Sequence, residues 1–199
     1  MRLEDYRMIF IISGLIGVLL IASPALSLFL RLPSGQPFSE IFILGPEQTF
    51  SDYPYNVTVD KNYSIYLGVG NKEGASAYYT VVVKFRNQTE PLPNINSGTP
   101  SPIQSLYEYS FSLQDGATFT RTLTFSVDEA SFSGNQSLIK TLTINDAVFE
   151  VNKQAILAVN GTVFYYQLFF ELWTYNSQSG GISYNGHFVD LQLNLTQTR

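Results

Sequence analysis

The chain has 199 residues, a formal net charge of -5, no cysteine, one histidine and only 14% charged residues. Scarce charge with acids in excess leaves no basic stripe for a phosphate backbone, which argues against nucleic-acid binding. The lack of cysteine excludes disulfides, thiol nucleophiles, iron–sulfur clusters and cysteine-ligated zinc. Polarity rests instead on 59 Ser, Thr, Asn and Gln residues, so the surface is mainly neutral.

Residues 1–7, with Arg2, Glu4, Asp5 and Arg7, read as a short cytoplasmic N-terminus. Residues 8–30 follow as 23 positions without a charge. Crossing a hydrocarbon core takes about 20 helical residues, so this stretch is expected to form a single transmembrane helix or signal anchor in the lipid bilayer. Pro24 could kink such a helix without forbidding it. The competing reading is a cleaved signal peptide, cut near Ser23, Pro24 and Ala25. Two acids before the run, and apolar residues continuing from Leu26 to Leu30, favour a retained anchor. Arg2 and Arg7 precede the span, and only Arg31 follows it before Lys61, which favours a cytoplasmic N-terminus. Residues 31–37 then serve as a linker, and residues 38–199 as an extracellular domain.

Six N-x-S/T sequons fall in that domain, at Asn56, Asn62, Asn87, Asn135, Asn160 and Asn194. This is roughly threefold more than random placement of the same residues would give, and such triplets accept N-linked glycans only on the translocated side.

From Phe38 onward apolar residues recur at every second position, the period of a half-buried strand. In 117–127, Phe119, Leu123, Phe125 and Val127 share one face, whereas Thr118, Thr120, Thr122, Thr124 and Ser126 share the other. Similar runs are 39–44, 55–59, 63–69, 78–85, 106–113, 138–144, 163–175 and 188–195. Residues 146–159 alone read as a helix, with Asp146 as N-cap and Val148, Val151, Ala155 and Val159 on one side. Gly68 to Gly74 is expected to make a hairpin turn. The proline-rich stretch 90–105 reads as a surface loop, or as a contact loop at the tip of the domain. Short strands without βα alternation predict an all-β, immunoglobulin-like antiparallel β-sandwich, preceded by the one N-terminal transmembrane helix.

Several stretches resemble an uncharacterised archaeal membrane-protein family, domain of unknown function 1616. One is Phe42, Leu44, Gly45 and Pro46; another is Tyr53, Pro54, Asn56, Thr58 and Val59. Gly68, Asn71 and Glu73, leading into Tyr79 to Val81, make a third, and 169–175 with 184–195 is similar in kind. The resemblance implies an archaeal, membrane-tethered, β-rich extracytoplasmic domain with no assigned activity and no catalytic residues. Many members carry several membrane helices before the domain, and this chain has room for one.

No cofactor, metal or catalytic set is expected. His187 is the single imidazole, so it builds neither a two-histidine metal site nor, without a G-x-S-x-G elbow, a hydrolase triad. It reads as a solvated turn residue at a strand start. Glu108 and Glu171 could serve glycoside hydrolysis only if the fold brought them together. Calcium at Asp115–Gly116 or Asp128–Glu129 lacks a full set of oxygen ligands. In 163–175, Phe164, Tyr166, Leu168, Phe170 and Leu172 form the natural core face. The opposite face carries Tyr165, Phe169, Glu171, Trp173 and Tyr175, and reads either as covered like the first, as a partner surface, or as a sugar platform. The expected function is non-enzymatic: a surface domain in a cell-envelope or membrane complex, acting through contacts with other proteins. A pilin-like filament subunit and a carbohydrate-binding module are the alternatives.

Overall fold

The computed structural model describes residues 6–18, 36–158, 163–176 and 180–196. The chain divides into two units, 1–37 and 38–199. In the first, residues 6–18 are helical. Ser13 returns its hydroxyl to the Ile9 carbonyl at 2.8 Å, satisfying it within the helix. The expected span 8–30 is thus described only as far as residue 18; residues 19–30 and the linker up to residue 35 lie outside the described residues. No helix among the described residues is long and apolar enough to cross a membrane.

The second unit is all-β, with ten strands among its described residues. They are β1 (Phe38–Leu44), β2 (Asn56–Val57), β3 (Tyr63–Lys72), β4 (Ala77–Asn87), β5 (Tyr107–Leu113), β6 (Thr118–Ser133), β7 (Gln136–Ile144), β8 (Ala147–Ile156), β9 (Phe164–Asn176) and β10 (Gly181–Leu195). One sheet runs β1-β3-β6-β7-β8 and the other β2-β10-β9-β4-β5. All pairings are antiparallel except β2 with β10, which is parallel, so the sandwich is mixed rather than antiparallel throughout.

The two inner faces interdigitate as the alternation requires. Ile65, Leu67, Leu123, Phe125, Leu142 and Ile144 of the first sheet are buried, as are Val81, Val83, Phe85, Leu168, Phe170 and Leu193 of the second. Phe111 of β5 stacks on Phe119 of β6 at 3.8 Å between centroids. Two buried phenols tie the layers. The Tyr166 hydroxyl lies 2.8 Å from the Ser137 hydroxyl, and the Tyr79 hydroxyl 2.9 Å from that of Ser39. Polar atoms this deep are costly to leave unbonded, so these contacts set register as well as adding stability.

Residues 147–156 are a strand, not the expected helix. Asn145 and Asp146 both take left-handed backbone conformations, φ 47° and 66°. That is the two-residue hairpin turn whose twist suits a strand pair, so Asp146 turns the chain where an N-cap was expected. Along β8 the exposed and half-buried residues then alternate singly.

The 68–74 segment is no hairpin either. β3 pairs with β1 and β6, whereas β4 pairs with β5 and β9, so the intervening turn crosses between sheets. Asn71 anchors that crossing, its amide donating to the Ala75 and Leu113 carbonyls at 2.8 and 3.0 Å. Gly68 is needed for space: a Cβ there would lie 2.2 Å from the Phe42 ring packed across from it.

Candidate functional site

The outer face of the second sheet carries the most structured constellation of side chains. Alternation on β4 turns Thr80, Val82 and Lys84 outward while Val81, Val83 and Phe85 go to the core. On β9 the outward set is Phe169, Glu171 and Trp173. Register places Val82 between Glu108 of β5 and Glu171 of β9, and Thr80 between Ser110 and Trp173.

The chain between β4 and β5, residues 88–106, does not project from a tip of the sandwich. Its start is bonded to β8 of the first sheet, through Gln88 to Ile156 and Glu90 to Lys153; beyond that it folds back as a strap over this face and is fastened at Ser101. The Ser101 N–H donates to Glu171 Oε1 at 2.7 Å, and Lys84 Nζ donates to the Ser101 carbonyl at 2.7 Å. Lys84 and Glu171 themselves form an ion pair of 2.9 Å, with side chains 7% and 0% exposed. The Trp173 indole N–H donates to Glu171 Oε2 at 3.1 Å, and the Ser101 hydroxyl closes the strap on the Pro91 carbonyl at 2.7 Å. Both carboxylate oxygens are therefore occupied, as a buried charge requires.

Beside the strap lies a groove of about 460 Å³. Its floor is Thr80, Val82 and Lys84; Glu108 and Ser110 line it from β5, Ile103 and Ser105 from the strap, and Trp173 and Ile182 from β9 and β10. The Thr80 and Ser110 hydroxyls lie 3.0 Å apart. Trp173 is held on its other side by Tyr184, with ring centroids 6.0 Å apart and planes at 59°.

The Tyr184 hydroxyl is buried without a hydrogen-bond partner. Burial, reinforced by the Glu171 carboxylate, pushes its phenol from 10.0 up to about 12. A group whose pKa is raised by folding contributes stability that is complete below the unfolded value and disappears as pH climbs through the folded one. Part of the stability is accordingly expected to vanish between pH 10.0 and about 12. Denaturant midpoints measured across that range test this: Tyr184→Phe should flatten the fall, and an unchanged fall in the variant would refute it.

The face expected from the sequence is divided by the structure. Phe169 and Glu171 are fully buried, Tyr165 and Trp173 half-buried, and Tyr175 is 54% exposed. Glu171 and Phe169 are therefore not a surface that a partner or glycan could touch. A strap supplied by another part of the chain covers the middle of β9, which is consequently buried on both sides. Lys84, Ser101, Thr80 and Ser110 were not legible as site residues, although one lysine in Val81–Phe85 and one glutamate in Phe169–Trp173 signal a buried pair in two otherwise apolar strands.

Glu108 and Glu171 do share a face, two strands apart, but Glu171 is committed to Lys84, Ser101 and Trp173. His187 is exposed as expected, yet it sits at an irregularity within β10 rather than at its start. The carboxylates weighed for calcium hold the chain itself. Asp115 accepts from the Gly74 N–H, Asp128 from Ser126 and Thr143, and Glu129 pairs with Lys140. No group of three or more metal-binding side chains occurs among the described residues.

Of the sequons, Asn56, Asn62 and Asn135 are exposed. The Asn87 amide is engaged, donating to the Gln154 carbonyl at 2.9 Å. Asn194 donates to Asn56 Oδ1 at 3.2 Å across the parallel β2–β10 pairing. Asn160 lies outside the described residues.

The fold and groove define a two-sheet β-domain with a strapped outer face. The family model described as a domain of unknown function, DUF1616, matches residues 32–150. The chain belongs to that family, as its motifs suggested. The match ends before β9 and β10, so half of the strapped face lies beyond it. No curated protein matches the sequence. Among solved structures, the chain is similar to the CARDB domain of a Pyrococcus furiosus protein in complex with di-metal ions, at 11% identity, TM-score 0.44, and coverage of 83% of this chain and 94% of that one. It is also similar to a mutant β-glucosidase from Listeria innocua in complex with laminaribiose, at 8% identity and TM-score 0.44. That similarity covers 81% of this chain but spans only 16% of the enzyme. A third similarity is to the C-terminal domain of wzt, at 10% identity and TM-score 0.37, covering 83% and 81%.

Proposed function

We propose that the protein is a non-enzymatic archaeal surface domain, tethered to the membrane by residues 8–30. It acts outside the cell as a structural or accessory subunit of an envelope or membrane complex, through contacts with neighbouring proteins. In this reading the head is an immunoglobulin-like sandwich.

The observation that carries the proposal is the N-terminal run. Met8, Ile9, Phe10, Ile11, Ile12, Leu15, Ile16 and Val18 are all more than half exposed on the 6–18 helix, on every side of it. A helix apolar all round needs an apolar solvent, and a bilayer is one. The head supplies the complementary sign. Its surface is rich in hydroxyls and amides, and three exposed sequons, Asn56, Asn62 and Asn135, offer sites for N-linked glycans. The filament alternative requires processing at the start of the apolar helix. Arg7 is followed by Met8, and the first glycine, Gly14, lies well inside the run.

Membrane fractionation with protease added to intact cells tests the reading. The full chain is expected in the membrane fraction, its head cleaved from outside, with a mature terminus at Met1 or Arg2. A soluble chain or a protected head overturns the tether or its orientation. A terminus trimmed to the start of the helix favours the filament subunit.

A further inference from the structure

We infer that the groove between the strap and the β9–β10 edge is a binding site for a neutral saccharide, with Trp173 as its platform. The inference stands on the groove alone and holds whether or not the chain is anchored. Its volume of about 460 Å³ falls within the usual range of small-ligand sites, roughly 300–1,000 Å³.

Charge narrows the class of ligand. The one cation lining the groove among the described residues, Lys84, is buried and neutralised by Glu171. The exposed carboxylate is Glu108, so the site offers an anion no attraction and some repulsion. The remaining lining alternates apolar surface with hydroxyls. Thr80 and Ser110 share one bond at 3.0 Å. Since each hydroxyl carries one donor and two acceptor positions, the pair retains one donor and several acceptors for a ligand. A ring with C–H faces and hydroxyl edges matches that lining. Its face would lie on the indole, and its hydroxyls would meet Glu108, Thr80 and Ser110.

Trp173 is prepared for this task. Its N–H is already satisfied by Glu171 and its ring is braced by Tyr184, so little freedom is lost when a ligand stacks on it. A charge pair fixing a strap explains Lys84, Glu171 and Ser101. It does not require a half-exposed indole beside two hydroxyls and an unpaired glutamate.

Trp173 is the only tryptophan of the chain, so its emission reports on the groove directly. The full chain, held in a zwitterionic detergent without a sugar headgroup, is titrated with maltotetraose, cellotetraose and mannotetraose, and in parallel with tetragalacturonate and a sulfated tetrasaccharide. At least one should give a saturable emission change with Kd of about 1 mM or tighter. Glu108→Gln, and separately Ser110→Ala, should each weaken it by about tenfold through loss of a hydrogen bond. Both residues are exposed, and unchanged far-ultraviolet circular dichroism confirms that the variants fold. Three results overturn the proposal: no saturable change with any of the three sugars, affinity untouched by both variants, or tighter binding of a sulfated or uronic oligosaccharide than of any neutral one.

Discussion

Glu171→Gln is expected to lower the unfolding free energy of the head by about 3–5 kcal/mol, the usual cost of removing one partner from a buried ion pair. The carboxylate is fully buried and holds three groups: Lys84 Nζ, the Ser101 N–H and the Trp173 indole N–H. Glutamine keeps the shape but leaves the Lys84 ammonium buried without its counter-charge. Its amide NH₂ also faces a donor. With total stability of a domain at about 5–15 kcal/mol, this single change removes a large part of it. Urea unfolding of residues 36–199, followed by Trp173 emission, measures the loss.

A second variant separates charge from packing. Lys84→Met combined with Glu171→Leu should regain most of that loss, because replacing both members of a buried pair with apolar side chains is often neutral or better. The strap would then lose its fastening at Ser101 and the groove its wall. The double variant is therefore expected to fold stably and yet to have a disturbed Trp173 environment. A loss below about 1 kcal/mol for Glu171→Gln alone would mean that the pair is hydrated and the strap loosely held.

Phe85→Ala is expected to cost about 3–5 kcal/mol. Phe85 is 1% exposed and stacks on Tyr166, with centroids 5.5 Å apart and planes at 12°. Tyr166 in turn reaches the opposite sheet through the Ser137 side chain and the Lys153 carbonyl. Truncation leaves a cavity beside a buried hydrogen-bonded phenol, so neither the ring nor its hydroxyl can settle into the space cheaply. Val148→Thr is the contrast. That residue is 67% exposed on the edge strand β8, where a change should stay within about 0.5 kcal/mol. Equal effects from the two would mean that the core does not lie where β4 and β9 face the first sheet.

The legible part of this protein was its local periodicity. Phe119, Leu123, Phe125 and Val127 alternate with polar residues, and so do the two sets on β9, which suffices for strands and for the choice of core face. The misread segment, 146–159, shows where that signal is ambiguous. Val148, Val151 and Ala155 fit a helical spacing, and only the hairpin geometry of Asn145 and Asp146 against β7 selects the strand. Pairing was not legible at all. Nothing in Gly68 to Gly74 says that β3 and β4 join different sheets, because sheet membership is decided by contacts with β6 and β9, far along the chain.

The site divides in the same way. The sequence alone determined an uncharged N-terminal run, an all-β head, a neutral surface and family membership, since each of these is a property of composition or of neighbouring residues. Only the tertiary structure decided that Glu171 and Phe169 are buried while Trp173 borders a groove. Alternation tells which side of a strand a residue takes, but whether that side meets water depends on what folds over it. Here a proline-rich strap does so, held by a lysine and a glutamate 87 positions apart.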